Sequence, residues 1–517
     1  MNIKMKKSKY LKRFLVFCSF SIIIILPVLG QKFEPSWKSL AENYKCPDWF
    51  RDAKFGIFMH WGIMSAIDEN RDYGGSHYGR YMYGPGEFPP DHERSQWARD
   101  LYKWHTENYG HPNEFGYKDF IPMFKAEKWN PDSLVAFYKE IGAKYIVPVA
   151  VHHDNFDMYK SIHRWNAYEM GPKKDIIQGW KEAAEKHGIR FGVSSHLDRV
   201  SSFFQVSRKY DGGNPDYADF YGSNYNIEHQ KDENWQKVWY ARTMQLIDQY
   251  QPDLLYFDGS LPGIYGNMKY GFELAAQFYN SNMEKNGGKL EAVMNLKHGP
   301  DKRAFIWDIE RGQAGALQRH PWQTDTDLQG GWFYRKKEPN FTPEVLIGNF
   351  IDIISKNGNL LLNVGLRGDG TLPENQAAVL REMGNWLKIN GEAVYGSRPW
   401  LVFGEGPTKI ESGAFNEPNA DYTADDIRFT VNGGFLYVFL LNPEKNDVVI
   451  RSLSSYLNLS SGIKSVELLG SEEKIIWQQT REGLALSLPE SRPSKYALVL
   501  KVSVDDLSSQ YWELIIE

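Results

Sequence analysis

Cysteine is nearly missing from this chain, with two in 517 residues. Cys18 lies inside an apolar run near the N-terminus, so a chain trimmed of that run keeps Cys46 alone. No intrachain disulfide is then possible, and the fold must hold by core burial. A basic excess is missing too. Lys and Arg number 60 against 65 Asp and Glu, so no surplus exists to neutralise a phosphate backbone, and nucleic acid is disfavoured as a partner. Internal repeats and low-complexity stretches do not stand out. Neither does a Walker-type phosphate loop, a GxSxG elbow, an HExxH pair or a spaced Cys/His set. Aromatics, by contrast, are plentiful at 15%, with 17 Trp and 30 Tyr. They suit either a large core or a site that stacks on the flat apolar faces of sugars.

The N-terminus reads as an address. Lys4, Lys6, Lys7, Lys9, Lys12 and Arg13 precede an apolar stretch from Phe14 to Leu29, which ends on Val28-Leu29-Gly30. This is the pattern of a secretory signal peptide over residues 1–30, cut between Gly30 and Gln31. The run is short for a membrane span of about 20 residues, and Cys18 sits mid-run, where it cannot serve as a lipoprotein acceptor. The expected product is periplasmic or extracellular, with no stable membrane insertion after cleavage. Removing six positive charges from 60 leaves 54 against 65, a net charge of −11.

Residues 31–400 alternate short apolar runs with helical periods. Phe55 to Met59, Tyr145 to Val151, Phe191 to Val193, Leu254 to Phe257, Ala292 to Leu296, Ala304 to Ile306 and Leu360 to Val364 read as buried strands. Trp129 to Ile141, Gly179 to His187, Trp235 to Tyr250 and Phe350 to Ser355 read as helices. Near-continuous apolar strands separated by helices mean a parallel sheet covered on both faces. This many units predict an α/β fold of the (β/α)8-type barrel. From residue 401 to 517 the helical periods nearly vanish. Short runs separated by turns such as Asn432-Gly433-Gly434 predict a C-terminal antiparallel β-sandwich.

In such a barrel the chemistry sits at the C-terminal ends of the strands. Five runs end in residues fit for it: His60 and Trp61; His152, His153 and Asp154; Ser194, Ser195 and His196; Asp258 and Gly259; Trp307, Asp308 and Glu310. Asp258 is the sharpest case, a carboxylate directly after Leu254-Leu-Tyr-Phe257; its bland alternative is a turn cap. Glu310 follows one strand later, and its bland alternative is an ion pair with Arg311 or a nearby base. Two carboxylates about 5–5.5 Å apart across a sugar suit a retaining glycosidase, one as nucleophile and one as acid/base. Adjacent strand residues point to opposite faces, so His152 and His153 are expected not to share one metal ion. They are read as hydrogen-bond partners of hydroxyls. Asp325-Thr-Asp327 begins like a calcium loop, but Lys336 stands where the closing Glu is needed. No metal and no cofactor is expected.

Longer motifs carry a resemblance. Lys54-Phe-Gly-Ile-Phe-Met-His-Trp-Gly62, Val151-His-His-Asp-Asn-Phe156, Asp253-Leu-Leu-Tyr-Phe-Asp-Gly259 and Leu360-Leu-Leu-Asn-Val-Gly365 occur in order, followed by Asp369-Gly370 and Asn390-Gly-Glu-Ala393. From about Trp49 to Trp400 the chain resembles the α-L-fucosidases of glycoside hydrolase family 29. The resemblance implies a retaining exo-glycosidase acting on glycans that end in α-L-fucose. It puts Asp258 on the family's nucleophile, Glu310 on the best acid/base candidate, and His60, His152 and His153 on its sugar-binding histidines. Tyr256 stands in for a family aromatic beside the nucleophile, and Trp322 and Trp332-Phe-Tyr334 resemble segments near the site. Trp61, His77 and His196 complete the predicted substrate-binding set. The chain also departs from the family. Where the family often shows Glu-Trp-Tyr-Ala-Arg-x-Met-Tyr, this chain has Ser76-His77-Tyr78-Gly79-Arg80-Tyr81-Met82-Tyr83. The family's Lys before His-His is here Val151, and its Gly after Asp154 is Asn155. Loss of the Glu-Trp pair leaves three alternatives open. One is an α-L-galactosidase, since L-galactose is L-fucose with a hydroxyl on C6. Another is an enzyme for a substituted marine or plant glycan. The third is a non-catalytic glycan-binding protein. The oligomeric state is not legible.

Overall fold

The computed structural model describes residues 32–67, 75–86, 88–227, 232–262, 268–417, 419–456, 462–504 and 507. The predicted signal peptide lies outside the described residues. No helix among them is long and apolar enough to cross a membrane.

Eight parallel strands close into a barrel in sequence order. They are β1 (Phe55–Met59), β2 (Tyr145–Val151), β3 (Arg190–Ser195), β4 (Leu254–Phe257), β5 (Val293–Leu296), β6 (Ile306–Asp308), β7 (Trp322–Asp327) and β8 (Gly358–Asn363). Closure is made by β1 against β8, with Phe55 opposite Leu360 and Phe58 opposite Asn363. The apolar runs became strands because both faces are covered: Phe55, Ile57 and Phe58 are fully buried, as are Leu254, Leu255 and Tyr256. Helices Pro131–Glu140, Ile176–His187, Glu233–Tyr250, Lys269–Lys285 and Pro343–Ser355 form the outer layer. Their starts follow capping chemistry. The Asn130 side chain accepts from Ser133 N and Asp175 from Gln178 N, and Gly188 ends Ile176–His187 in the left-handed conformation.

The barrel departs from the ideal in two places. No helix joins β5 to β6 or β6 to β7; irregular segments cross instead. Two strands also differ from their sequence reading. The run read as Ala304–Ile306 pairs later, over Ile306–Asp308, so Trp307 and Asp308 are strand residues. The calcium-like Asp325-Thr-Asp327 belongs to β7, which is buried at every position although five of its six residues are polar. Polarity hid this strand, and hydrogen bonds inside the barrel make its burial tolerable.

The second unit begins at β9 (Arg398–Glu405) and continues with β10 (Ile427–Asn432), β11 (Phe435–Leu440), β12 (Asp447–Ile450), β13 (Ile463–Leu468), β14 (Ile476–Gln479), β15 (Leu484–Ser487) and β16 (Leu498–Val504). These strands form a five-stranded sheet, β13-β16-β11-β10-β9, and a three-stranded sheet, β12-β15-β14. Every pairing in them is antiparallel. Between the sheets lies a separate core that includes Phe429, Leu436, Val438, Ile450, Leu484 and Leu500. Helix Glu374–Val394 seats this unit on the barrel, with Trp386 donating from Nε1 to Ala497 O at 2.8 Å. A buried Arg428–Asp352 contact at 2.6 Å adds a second anchor.

Candidate active site

The C-terminal ends of the strands open into a cavity of about 490 Å³, within the usual size of a small-molecule site, about 300–1,000 Å³. His60, His77, His152, His153, His196, Asp258 and Glu310 line it, so seven of the ten predicted residues meet in one place. Sequential strand order explains this. Each strand delivers its terminal residues to the same rim, next to those of the strand before.

Asp258 stands at the end of β4. His153 Nε2 lies 3.0 Å from its Oδ2, and the Lys297 ammonium contacts its Oδ1. The other ring nitrogen of His153, Nδ1, faces His196 O at 2.8 Å. Burial works against the charge on Asp258, but the Lys297 ammonium, then His196 and His153, outweigh it and hold the carboxyl well below the ordinary carboxylate range. The next residue must be glycine for two reasons. Gly259 has φ +142°, and a Cβ there would meet Asp198 Oδ2 at 2.5 Å.

Glu310 follows β6, and its backbone is clamped from both sides. Arg311 N donates to Asp325 O at 2.8 Å, and Glu310 O accepts from Phe415 N at 2.8 Å. Burial pushes the Glu310 carboxyl up to about 7; Lys297 pulls it down, while Asp325 and Asp258 push it further up. Lys297 therefore touches both carboxylates. Burial opposes its charge, but Asp258, Asp325 and Glu310 hold it well above the ordinary range, so it is a fixed cation.

Beneath this trio a polar network fills the barrel. Tyr256 Oη donates to Asp325 Oδ2 at 2.9 Å and reaches Asp308 Oδ1 at 3.2 Å. Gln323 Nε2 donates to Asp308 Oδ2 at 2.8 Å and its Oε1 accepts from Tyr145 Oη at 2.9 Å. Burial, and then Asp325 beside it, push the Asp308 carboxyl well above the ordinary range.

The histidine wall has a definable polarity. Asn363 Nδ2 donates to Asp327 Oδ1 at 2.8 Å and to Trp332 O at 2.7 Å. That pins the amide with Oδ1 toward His60, whose Nδ1 is 2.9 Å away. Nδ1 therefore carries the proton, and Nε2 is left as an acceptor. Burial, and then His196 nearby, hold His60 well below its usual pKa, so it is neutral. His152 is also neutral, through burial and then His153, His196 and His60. His77 is pushed down to about 3 by burial, then by His153, Arg80, Arg94 and Arg199. Its Nδ1 meets Ser76 Oγ at 3.0 Å and its ring stacks on Tyr81 at 5.7 Å between centroids.

No group of possible metal ligands among the described residues contains both His152 and His153, as expected, but the premise that they point to opposite faces needs correction. Both lie beyond the end of β2, where strand alternation no longer holds, and their rings are 4.6 Å apart in the same cavity wall. Asn155 explains the turn that brings them there. It adopts φ +62°, a conformation Asn tolerates in place of the family's Gly. Its Oδ1 accepts from Arg242 Nη1 at 2.7 Å, and Arg242 also pairs with buried Asp157 at 2.6 Å. Two groups of nitrogens and oxygens lie close enough to hold a metal ion: His60, His152 and His196; and His153, His196 and Asp258. The same atoms present acceptors and donors suited to hydroxyl groups.

Three predicted residues do not reach the cavity wall. Trp61 is buried against Phe124 and Trp129, and its Nε1 donates to Arg367 O at 2.8 Å. Trp322 points outward from β7, with Nε1 on Lys356 O at 2.9 Å. Tyr256 is fully buried below the carboxylates. Each sits beside the site in sequence, but its ring is held in the core. Conversely, Lys297, Arg199, Asp325 and Phe415 line the cavity and were not predicted. Lys297 carries the same signal as the residues at the other strand ends, since it follows Leu296 directly at the end of β5. Phe415 comes from beyond residue 401, so the second unit contributes to the wall. Glu417, close by, pairs with Arg311 at 2.9 Å.

The comparisons agree with this geometry. The family model described as Alpha-L-fucosidase matches residues 26–392, and that described as Alpha-L-fucosidase C-terminal domain matches 419–503. Tissue alpha-L-fucosidase of Mus musculus is 28% identical over 494 residues, covering 92% of this chain and 95% of its own. Plasma alpha-L-fucosidase of Homo sapiens is 28% identical over 473 residues, covering 89% of each. The crystal structure of Thermotoga maritima alpha-fucosidase superposes with a TM-score of 0.69 at 27% identity, covering 91% of this chain and 100% of that one. A second structure of that enzyme, in complex with fucose, gives 0.67 at 27% identity over 91% of this chain and 100% of that one. The chain belongs to the alpha-L-fucosidase family of glycoside hydrolases.

Proposed function

We propose that this fucosidase is exo-acting and retaining, with Asp258 as nucleophile and Glu310 as acid/base. The observation that carries the reading is the single ammonium of Lys297 against both carboxylates. At charge-assisted N–O contacts of about 2.7–2.9 Å, two oxygens sharing one nitrogen are at most about 5.8 Å apart. Facing oxygens this close agree better with the carboxyl separation of about 5–5.5 Å of a retaining enzyme than with the about 6.5–9.5 Å that lets a water stand between the carboxylates of an inverting one. The opposed pKa shifts agree: one carboxyl is held ionised and the other is poised to carry a proton.

In the first step an Asp258 oxygen forms a bond to the anomeric carbon. The glycosidic C–O bond breaks, and Glu310 gives its proton to the departing oxygen. The Lys297 ammonium stays against both groups and stabilises the Glu310 carboxylate as it appears. In the second step water attacks the anomeric carbon of the ester, Glu310 takes its proton, and Asp258 leaves as a carboxylate. The neutral imidazoles of His60 and His152 meet sugar hydroxyls, with His60 Nε2 accepting. The test is the anomer formed first, followed by proton NMR on an aryl α-L-fucoside. Retention releases α-L-fucose, which then mutarotates; β-L-fucose appearing first would overturn the assignment.

The reading includes export. Its support is the basic start, apolar run and Val28-Leu29-Gly30 ending. N-terminal sequencing of the protein recovered outside the cytoplasm should begin at Gln31; an intact Met1 there would refute cleavage.

A further inference from the structure

The cavity wall carries more positive charge than the reaction uses. Five arginines line it: Arg80, Arg94, Arg199, Arg311 and Arg335. Arg311 is engaged by Glu417. Arg94 and Arg199 are solvent-exposed and form no ion pair among the described residues. Arg80 and Arg94 both lie over the Phe88 ring, 5.4 and 5.9 Å from its centroid, and Arg80 also lies over Tyr81, on which His77 stacks; Arg199 lines the same cavity. Arg199 directly follows Asp198, whose Oδ1 is 3.8 Å from Nδ1 of the His153 ring that holds Asp258, so this part of the wall adjoins the reacting bond. Opposing them at the mouth is one exposed carboxylate, Glu93.

This concentration runs against the chain as a whole, whose residues beyond the predicted leader carry a net charge of −11. It also coincides with the departure at Ser76-His77. Where the resembled family often has a Glu-Trp pair, this chain has a hydroxyl and an uncharged imidazole. The carboxylate of that pair is missing from this chain, which leaves Glu93 on the rim and Asp198 beside Arg199 as the nearby acidic groups.

We propose that the site takes an anionic glycan, whose sulfate ester or carboxylate on the fucosyl unit or its neighbour is held by Arg94 and Arg199 beside His77. The proposal rests on the fucosidase reading above and adds the substrate class to it. Guanidinium groups present paired N–H donors to tetrahedral and planar oxyanions alike. The neutral Ser76-His77 wall supplies donors without repelling the anion.

The test compares kcat/KM of the wild-type enzyme on three kinds of substrate: a neutral aryl α-L-fucoside, its mono-O-sulfate esters, and an α-L-fucosyl uronate disaccharide. At least one anionic substrate is expected to exceed the neutral one by about tenfold or more, the scale of a charge-assisted hydrogen bond. The ratio should fall by about tenfold or more in the Arg94→Gln/Arg199→Gln double variant. It should recover in part in the double Lys variant and shrink as salt rises from about 0.05 to about 0.5 M. Preference for the sulfate esters or for the uronate identifies the source of the anion. A wild-type enzyme that turns over the neutral fucoside but gains nothing from any anionic group overturns this inference alone. So does a preference that the double variant leaves intact. No turnover of any α-L-fucoside would instead overturn the functional reading beneath it.

Discussion

Replacing Asp258 with alanine is expected to lower turnover of an aryl α-L-fucoside by about 10⁴-fold or more, the scale seen when a nucleophile is removed from a concerted site. The argument is geometric as well as chemical. Asp258 is the carboxylate that β4 delivers to the cavity, with Lys297 and His153 each holding one of its oxygens. No other carboxylate of the wall among the described residues is set up in the same way. Asp327, for instance, is turned away to cap Gly331 N and Trp332 N and to accept from Asn363. Alanine leaves a gap where the carboxylate stood and leaves the Lys297 ammonium still facing it. A small external anion such as azide should occupy that gap and attack the anomeric carbon from the same face. Azide is therefore expected to restore turnover of an activated aryl fucoside, with β-L-fucosyl azide as product. The loss of a buried partner for Lys297 and His153 also lowers stability, so the melting temperature is measured alongside. Near-wild-type turnover in a folded variant would sink the nucleophile assignment. An α-configured azide would sink the attacking face.

How far the site was legible follows from what each strand looks like in sequence. β1, β2, β4 and the Leu360–Leu362 centre of β8 are apolar runs, because their residues are buried on both faces and most of them make no side-chain hydrogen bond, Tyr145 and Tyr256 being the exceptions. His60, His152, His153 and Asp258 were found simply by stepping off the ends of such runs. β7 shows the limit of that method. Trp322-Gln-Thr-Asp-Thr-Asp327 is as buried as β2, yet it reads as a loop because its polar side chains are paired, several of them with residues far off in sequence: Thr324 with Ile309 and Gly312, Asp325 with Tyr256, Thr326 with Glu417. Pairing at that range leaves no periodicity. The same reason hides Asn363 as the residue that fixes the His60 tautomer, and Tyr256 as a support for Asp325 rather than a wall of the pocket. Phe415 was hidden by a domain boundary. Its segment follows β9, but its backbone closes on Glu310. Lys297 had a visible signal, a polar residue at a strand end, but as a base it matched no expected sugar-binding type.

Glu310→Gln is expected to cost about 10²–10⁴-fold on a natural glycan, the usual contribution of general acid–base catalysis, and much less on an aryl fucoside whose leaving group needs no proton. The pH profile separates this role from a merely structural one. Glu310 must hold a proton for the first step, and its carboxyl sits at about 7. Wild-type kcat/KM on a poor leaving group should therefore be full below that value and fall as pH rises through it. The acid limb belongs to Asp258, which must be ionised and lies well below the ordinary range, so activity should persist to pH values below about 4. Gln removes the titrating proton, and the basic limb near 7 should vanish with it. The origin of the shift also explains how one residue serves twice. Burial raises Glu310, and the charges of Asp325 and Asp258 raise it further against the pull of Lys297. Once Asp258 is esterified its charge is gone, while Lys297 remains. The Glu310 carboxyl must then fall, and it becomes a carboxylate able to take a proton from water when the second step needs a base. A basic limb that survives unchanged in Glu310→Gln would assign that titration elsewhere, with Asp198, raised to about 6 by burial and by Asp258 against the pull of His153, as the group to replace next.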